Sequence, residues 1–157
     1  MISIKGNRVV LRSVDSSDVD TLLLWENANN EPLYGIYEER YSHEDIARFV
    51  ELQQRYSLAE TEQLRLMICS HEGERLGCVD LTDYDGRKAA VSIIIHDSAN
   101  RRRGFAGEAL RLVVGYAESL GLQYLCATIL PENLASISLF EKVGFKKGEG
   151  DVYFLCH

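Results

Sequence analysis

Apolar residues recur along this chain of 157 residues at two spacings, and the switches between them mark its elements. Ile2 to Leu11 is a β-rich run. From Asp15 or Ser16 the spacing turns helical, with Val19, Leu22, Leu23 and Glu26 on one face, so the apolar part is expected to bury and to leave Glu26 near its rim. Asn29-Asn30-Glu31-Pro32 closes that helix, because proline disfavours helix at the residue before it. Ser42-His43-Glu44-Asp45 reads as a capping box, and Ile46, Phe49, Val50 and Gln53 follow at helical spacing. Three strands come next, Leu64 to Ser70, Arg75 to Leu81 and Ala89 to His96, joined by turn chemistry at His71-Glu72-Gly73 and Asp83-Tyr84-Asp85-Gly86. They predict an antiparallel meander. Ala106, Ala109, Leu110, Val113, Ala117 and Leu120 then form the stripe of a helix that ends at Gly121. Leu122 to Leu130 is an apolar strand, Asn133 begins a short helix, and Val152 to Cys156 is a last strand. The predicted order is β-α-α-β-β-β-α-β-α-β.

Composition narrows the class. A hydrophobic fraction of 46% beside 26% charged residues is that of a globular chain, and its length suits one domain spanning residues 1–157. The formal charge of −7 argues against a nucleic-acid partner, since counterion release requires an excess of Lys and Arg. No apolar run approaches the ~18 residues of a spanning helix, and no segment has the layout of a signal peptide. No membrane partner is expected, and the expected location is cytoplasmic. Cys69, Cys78, Cys126 and Cys156 lack ligand-like spacing, so reduced packing thiols are expected and no metal.

One turn carries candidate chemistry. Arg101-Arg102-Arg103-Gly104-Phe105-Ala106-Gly107 lies between the β-branched Val91-Ser92-Ile93-Ile94-Ile95 run and the helix that follows. The first turn of a helix has N–H groups without intrahelical partners, and the helix dipole adds partial positive charge there, so a phosphate can be held by backbone. Gly104, Ala106 and Gly107 allow close approach, and the arginines add charge. The turn lacks the Gly-Lys-Ser/Thr of a P-loop and the G-x-G-x-x-G spacing of a dinucleotide fold. What it does contain, Arg-x-x-Gly-x-Ala over residues 101–106, resembles the acetyl-coenzyme A signature of the GNAT superfamily of N-acetyltransferases. The block from Asn133 to Phe145, with its leading Asn and its Lys-Val-Gly-Phe end, is similar to that family's downstream helix. The likeness is greatest to the spermidine/diamine and ribosomal-protein N-terminal branch.

The resemblance implies an α/β (α+β) GNAT fold: a mixed, mostly antiparallel sheet of six to seven strands flanked by about four helices, with a splayed parallel pair forming the cleft. It implies acetyl-CoA as co-substrate. Backbone groups of Ile94, Ile95 and His96 would pair with the pantetheine arm. Arg101, Arg102, Arg103, Gly104, Phe105, Ala106 and Gly107 would surround the phosphates. Asn133 is read equally as a helix cap or as a contact to the arm, with Ser136 and Phe140 beside it.

Attack of a primary amine on the thioester would follow in a ternary complex, and an alkylamine with pKa about 10.4 must first lose a proton. Many family members place a Tyr acid where this chain has Phe140. A carboxylate often found early in the strand before the loop is also absent from Ala89-Ala90-Val91-Ser92. The remaining catalytic candidates are Asp83, Tyr84, His96 and Ser136. Glu31, Tyr34, Tyr37 and Glu38 concentrate acid and aromatics where the family builds its acceptor pocket, which suits a cationic amine. A small polyamine or diamine is the leading expectation for the acceptor. A protein N-terminus and a non-catalytic acetyl-CoA sensor are the alternatives, and a homodimer is in keeping with the family.

Overall fold

A computed structural model describes residues 1–28, 41–101 and 103–156. The first β-rich run is two strands, because Gly6-Asn7-Arg8 turns the chain back on itself: β1 (Ser3–Lys5) pairs antiparallel with β2 (Val9–Ser13). A 3-10 turn, Ser16–Asp18, leads into α1 (Val19–Ala28). Next come α2 (His43–Arg55) and the short α3 (Leu58–Thr61). The expected capping box is present, with Ser42 Oγ accepting from Asp45 N–H at 3.1 Å and the Asp45 carboxylate accepting from Ser42 N–H at 2.8 Å.

The meander is β3 (Leu64–Ser70), β4 (Arg75–Thr82) and β5 (Lys88–Ile95). Then follow α4 (Phe105–Ser119), β6 (Tyr124–Thr128), α5 (Leu134–Val143), the two-residue β7 (Lys146–Lys147) and β8 (Val152–Cys156). Among the described residues the sheet therefore has eight strands rather than six or seven, in the order β1-β2-β3-β4-β5-β6-β8-β7, and five α-helices rather than about four. The additions are the divided first run, β7 and α3, all too short to leave a periodicity.

Alternation along the strands gives the sheet two unlike faces. Leu66, Ile68, Val79, Leu81, Val91 and Ile95 pack with Phe105, Leu110 and Val113 of α4. On the opposite face Met67, Cys69 and Cys78 pack with Val19 and Leu22 of α1 and with Ile46 and Val50 of α2. The cysteines are free thiols: Cys69 and Cys78 are buried, Cys126 is half-buried and Cys156 is exposed. Burial pushes the Cys78 thiol up to about 12, so it packs as an inert group. None of the described helices is long and apolar enough to cross a membrane.

One adjacent pair in the sheet is parallel. β5 and β6 are in register only at Lys88–Tyr124, Ala89–Leu125 and Ala90–Cys126, after which they part. The remaining five residues of β5, Val91 to Ile95, are paired to β4 alone. A wedge thus opens within the sheet toward the end of β5, where the glycine turn begins.

Candidate active site

Ladder parity decides which peptide groups face this wedge. Arg87 offers its carbonyl to Gln123 N–H at 2.7 Å on the β6 side, whereas His96 N–H donates to Leu76 O at 3.0 Å on the β4 side. Odd-numbered residues of β5 therefore direct their peptide groups into the wedge and even-numbered ones toward β4. The expectation that Ile94 and His96 lend backbone bonds to a ligand meets this alternation: their N–H groups lie on the β4 side, and the peptide groups that face the wedge are those of Ile93 and Ile95. The Ile95 carbonyl already accepts from Arg101 Nε at 3.0 Å.

The mouth of the wedge is the start of α4. Gly104 is the N-cap with φ +83°, a left-handed conformation that a side chain would strain. The first helical bond there runs from Glu108 N–H to Gly104 O, so the N–H groups of Phe105, Ala106 and Gly107 have no partner within the helix. This fits a phosphate or pyrophosphate. Arg103 donates to Asn100 Oδ1 at 3.1 Å, and its guanidinium lies 5.0 Å from the Phe105 ring centroid. Arg102 lies outside the described residues.

Sequence reasoning missed Arg8. Its guanidinium sits 4.6 Å from the Phe105 centroid and donates to Arg103 O. The Glu108 carboxylate accepts from Arg8 N–H at 2.9 Å and from Val9 N–H at 2.6 Å, which ties the β1–β2 turn to the first turn of α4. A cation in the turn between β1 and β2 carries no local sign of this contact.

At α5, Asn133 is the N-cap, with Oδ1 accepting from Ser136 N–H at 3.2 Å. Phe140 is 3% exposed and meets Phe145 edge-on at 4.9 Å. Its ring belongs to the core on the α4 side. Asp83 and Tyr84 lie in the β4–β5 turn, at the closed end of the parallel pair and away from the glycine turn. Asp83 takes φ +53° there, and the neighbouring Asp85 carboxylate accepts from Arg87 and Lys88 N–H at 2.9 Å each, so the segment's polar groups are building a turn.

A polar cluster appears instead on the α1–α2 face. The register places Arg65, Asp80 and Ser92 side by side across β3, β4 and β5. Arg65 binds Asp80 through two parallel bonds, Nε to Oδ1 at 2.9 Å and Nη2 to Oδ2 at 2.8 Å, and donates Nη1 to Glu26 Oε1 at 2.7 Å. Its guanidinium also lies 5.1 Å from the Phe49 ring centroid. Burial works against this cation, but the two carboxylates more than offset it and its pKa rises. The cluster holds two negative charges and one positive.

Glu26 and Arg65 line two adjoining spaces. One is a cleft of about 580 Å³ that also meets Tyr41, Asp45, Arg48, Phe49 and Gln63. The other is a cavity of about 30 Å³ against Asp80, Ser92, Ile93, Ile94 and His96. His96 is stacked on Trp25, with centroids 4.3 Å apart and planes 4° from parallel. Burial lowers the His96 pKa. The expected acceptor residues Glu31, Tyr34, Tyr37 and Glu38 lie outside the described residues.

Comparison with known proteins places the chain in a class. Residues 8–146 match the model of the acetyltransferase (GNAT) domain, and the chain belongs to that family. Among curated proteins it is 29% identical over 153 residues to a Bacillus subtilis protein described as "Probable N-acetyltransferase YjcK", covering 92% of this chain and 83% of that protein. It is 23% identical over 148 residues to an uncharacterised Methanocaldococcus jannaschii protein, covering 91% of this chain and 29% of that one. The chain thus spans less than a third of the archaeal protein's length.

Among solved structures, the Vibrio cholerae spermidine N-acetyltransferase in complex with CoA and spermine superposes with TM-score 0.77 at 19% identity, over 96% of each chain. A ribosomal L7/L12 alpha-N-protein acetyltransferase in complex with coenzyme A gives 0.79 at 16%, over 99% of this chain and 98% of that one. Both are likenesses of fold.

Proposed function

We propose that this chain transfers the acetyl group of acetyl-CoA to a primary amine. The observation that carries the reading is the wedge between β5 and β6, which has the α4 N-terminus at its open end and the Glu26–Arg65–Asp80 cluster on the opposite face of the sheet. Donor and acceptor would approach from different faces and meet at the β5 edge. The peptide groups of Ile93 and Ile95 would pair with the amides of the pantetheine arm, as a strand pairs with an edge. The free N–H groups of Phe105, Ala106 and Gly107 would hold the pyrophosphate. Asn133, the cap of α5, and Ser136 in its first turn would approach the arm from the other side of the wedge.

The acceptor reading is a primary amine with one positive charge. Among the described residues the wide cleft has Glu26 and Asp45 facing Arg48 and Arg65, an even balance that gives a polycation no net attraction. The inner cluster carries one surplus negative charge, which matches one ammonium. On the described residues this favours monoamines and peptide N-termini, while the polyamine expectation rests on Glu31, Tyr34, Tyr37 and Glu38 outside them. Thiol release with acetyl-CoA tests it on a panel of propylamine, N-terminal peptides, putrescine and spermidine. Single-charge amines are expected to give the larger kcat/KM; a tenfold preference for spermidine would overturn the acceptor reading, and no release above background with any amine would overturn the transfer reading.

A further inference from the structure

We propose that His96, held against Trp25 at the end of β5, accepts the proton that the acceptor ammonium must lose, and so fills the place of the carboxylate absent from Ala89-Ala90-Val91-Ser92. The inference rests on the transfer reading above and names a residue for its proton step.

Several observations converge on this imidazole. Among the described residues it is the one ring that borders the inner cavity beside the β5 edge, along with Ser92, Ile93 and Ile94. Glu26 lines both that cavity and the wide cleft, so an ammonium drawn to Glu26 from the cleft arrives next to His96. The cavity, about 30 Å³, is the size of one water molecule or one ammonium head. The stack on Trp25 fixes the ring plane, with centroids 4.3 Å apart, and among the described bonds neither ring nitrogen has a partner. An imidazole that is oriented by packing and whose nitrogens have no partner among the described residues is arranged to take a proton.

The groups around it keep it neutral before that event. From β3 Arg65, from β4 Asp80 and Cys78, from α1 Glu26 and from the glycine turn Arg101 are the charged and titratable groups near the ring. Burial and the two arginines disfavour imidazolium, Glu26 favours it, and the balance lowers the pKa. Neutral imidazole therefore prevails at pH 7.

The transfer then balances as follows. The acceptor R–NH3⁺ gives one proton to His96 and becomes R–NH2. Its lone pair forms the C–N bond to the acetyl carbonyl carbon as the C–S bond breaks and coenzyme A leaves as thiolate. The second nitrogen proton passes to that thiolate. The sum is R–NH3⁺ plus acetyl-CoA giving R–NH–acetyl plus coenzyme A thiol, with one proton on His96 that is returned to solvent.

Trp25 is the single tryptophan of the chain, and its stack on His96 supplies a readout independent of turnover. Imidazolium quenches indole emission, so fluorescence should fall as pH drops through a midpoint below about 6.5, the ordinary histidine value. His96→Gln should abolish that transition and retain the fold by circular dichroism. In thiol release the wild type should lose kcat/KM on the acid side at the same midpoint. His96→Gln should lose about 100-fold in kcat, the low end of general-base contributions, keep its KM for acetyl-CoA and lose the acid limb. Full activity with an unchanged acid limb in His96→Gln overturns the assignment and leaves the transfer reading standing. A midpoint above 6.5 also overturns it. Absence of thiol release from the wild type, with the fluorescence transition intact, overturns the transfer reading and the proton role together.

Discussion

Gly77 of β4, opposite Ile95 in the register, lies so close to β5 that a Cβ built on it would collide with the Ile94 carbonyl, 2.9 Å from its carbon and closer still to its oxygen. The obstacle is backbone, which cannot rotate away as a side chain can. Gly77→Ala should therefore push β5 off β4 and destabilise the fold by about 2–3 kcal/mol, the scale of overpacking in a close-packed interior. Urea denaturation checks this. A variant with the wild-type midpoint would show that the strand shifts without cost. Because β5 also forms one wall of the wedge, the same variant should bind acetyl-CoA more weakly.

Arg8 supports the glycine turn from a distant hairpin. Arg8→Ala removes the bond to Arg103 O and the contact with the Phe105 ring. A cation–π contact at an exposed site contributes about 0.5–1 kcal/mol. The expected result by calorimetry is an acetyl-CoA affinity about 3- to 10-fold weaker with kcat unchanged. Gly104→Val, which forces a branched residue into φ +83° and brings its Cβ within 3.2 Å of Arg8, should weaken affinity further. Unchanged affinity in both variants would disconnect the turn from the donor.

Asp18 is wholly buried between two arginines. Its carboxylate accepts from Arg12 at 2.7 and 2.8 Å and from Arg75 Nε at 2.6 Å. Burial alone would raise its pKa, but the Arg12 and Arg75 bonds outweigh that and lower it to about 2. A depressed folded-state pKa means stability that is fully present above the unfolded value near 3.9 and lost as pH falls through about 2. The contribution is about 2 kcal/mol. The stability gap between wild type and Asp18→Asn should stay constant from pH 8 to 5 and narrow below pH 4. A gap independent of pH would show that the carboxylate titrates normally.

Phe140 occupies the position where many relatives have a tyrosine acid, yet its ring is packed against Phe145 in the core. A hydroxyl added there needs a partner in an apolar setting. Phe140→Tyr should lower stability by about 1–3 kcal/mol and leave turnover level or reduced. Thermal unfolding and thiol release measured together decide the matter. A tenfold rise in kcat at unchanged stability would place the hydroxyl at the leaving thiolate.

What was legible in the sequence was local. The Ser42–Asp45 capping box, the helix cap at Asn133, the helix end at Gly121 and the three meander strands all depend on neighbours a few residues apart, and the structure has each of them. The parallel β5–β6 pair came from family likeness and is likewise present. Features that depend on register across strands were out of reach. Arg65, Asp80 and Glu26 stand on three separate elements, and no spacing along the chain brings them together. Trp25 falls outside the helical stripe of Val19, Leu22, Leu23 and Glu26, and nothing near it in the chain marks its stack on His96. The parity that turns Ile93 and Ile95, rather than Ile94 and His96, toward the wedge follows from which residues pair with β4, and a run of three isoleucines hides it.

The parting of β5 from β6 after Ala90 means that, among the described residues, the sheet has four strand edges instead of two. The outer pair, β1 and β7, are three and two residues long, too short to recruit a strand from another molecule. The inner pair is longer, but it lies in a slot closed at one end by the Lys88–Tyr124 register and bordered at the other by α4. A slot of that form admits a single extended chain and excludes a sheet. The molecule is in effect a β-sheet with one strand left out, and what completes it must be thin, linear and able to hydrogen-bond along its length.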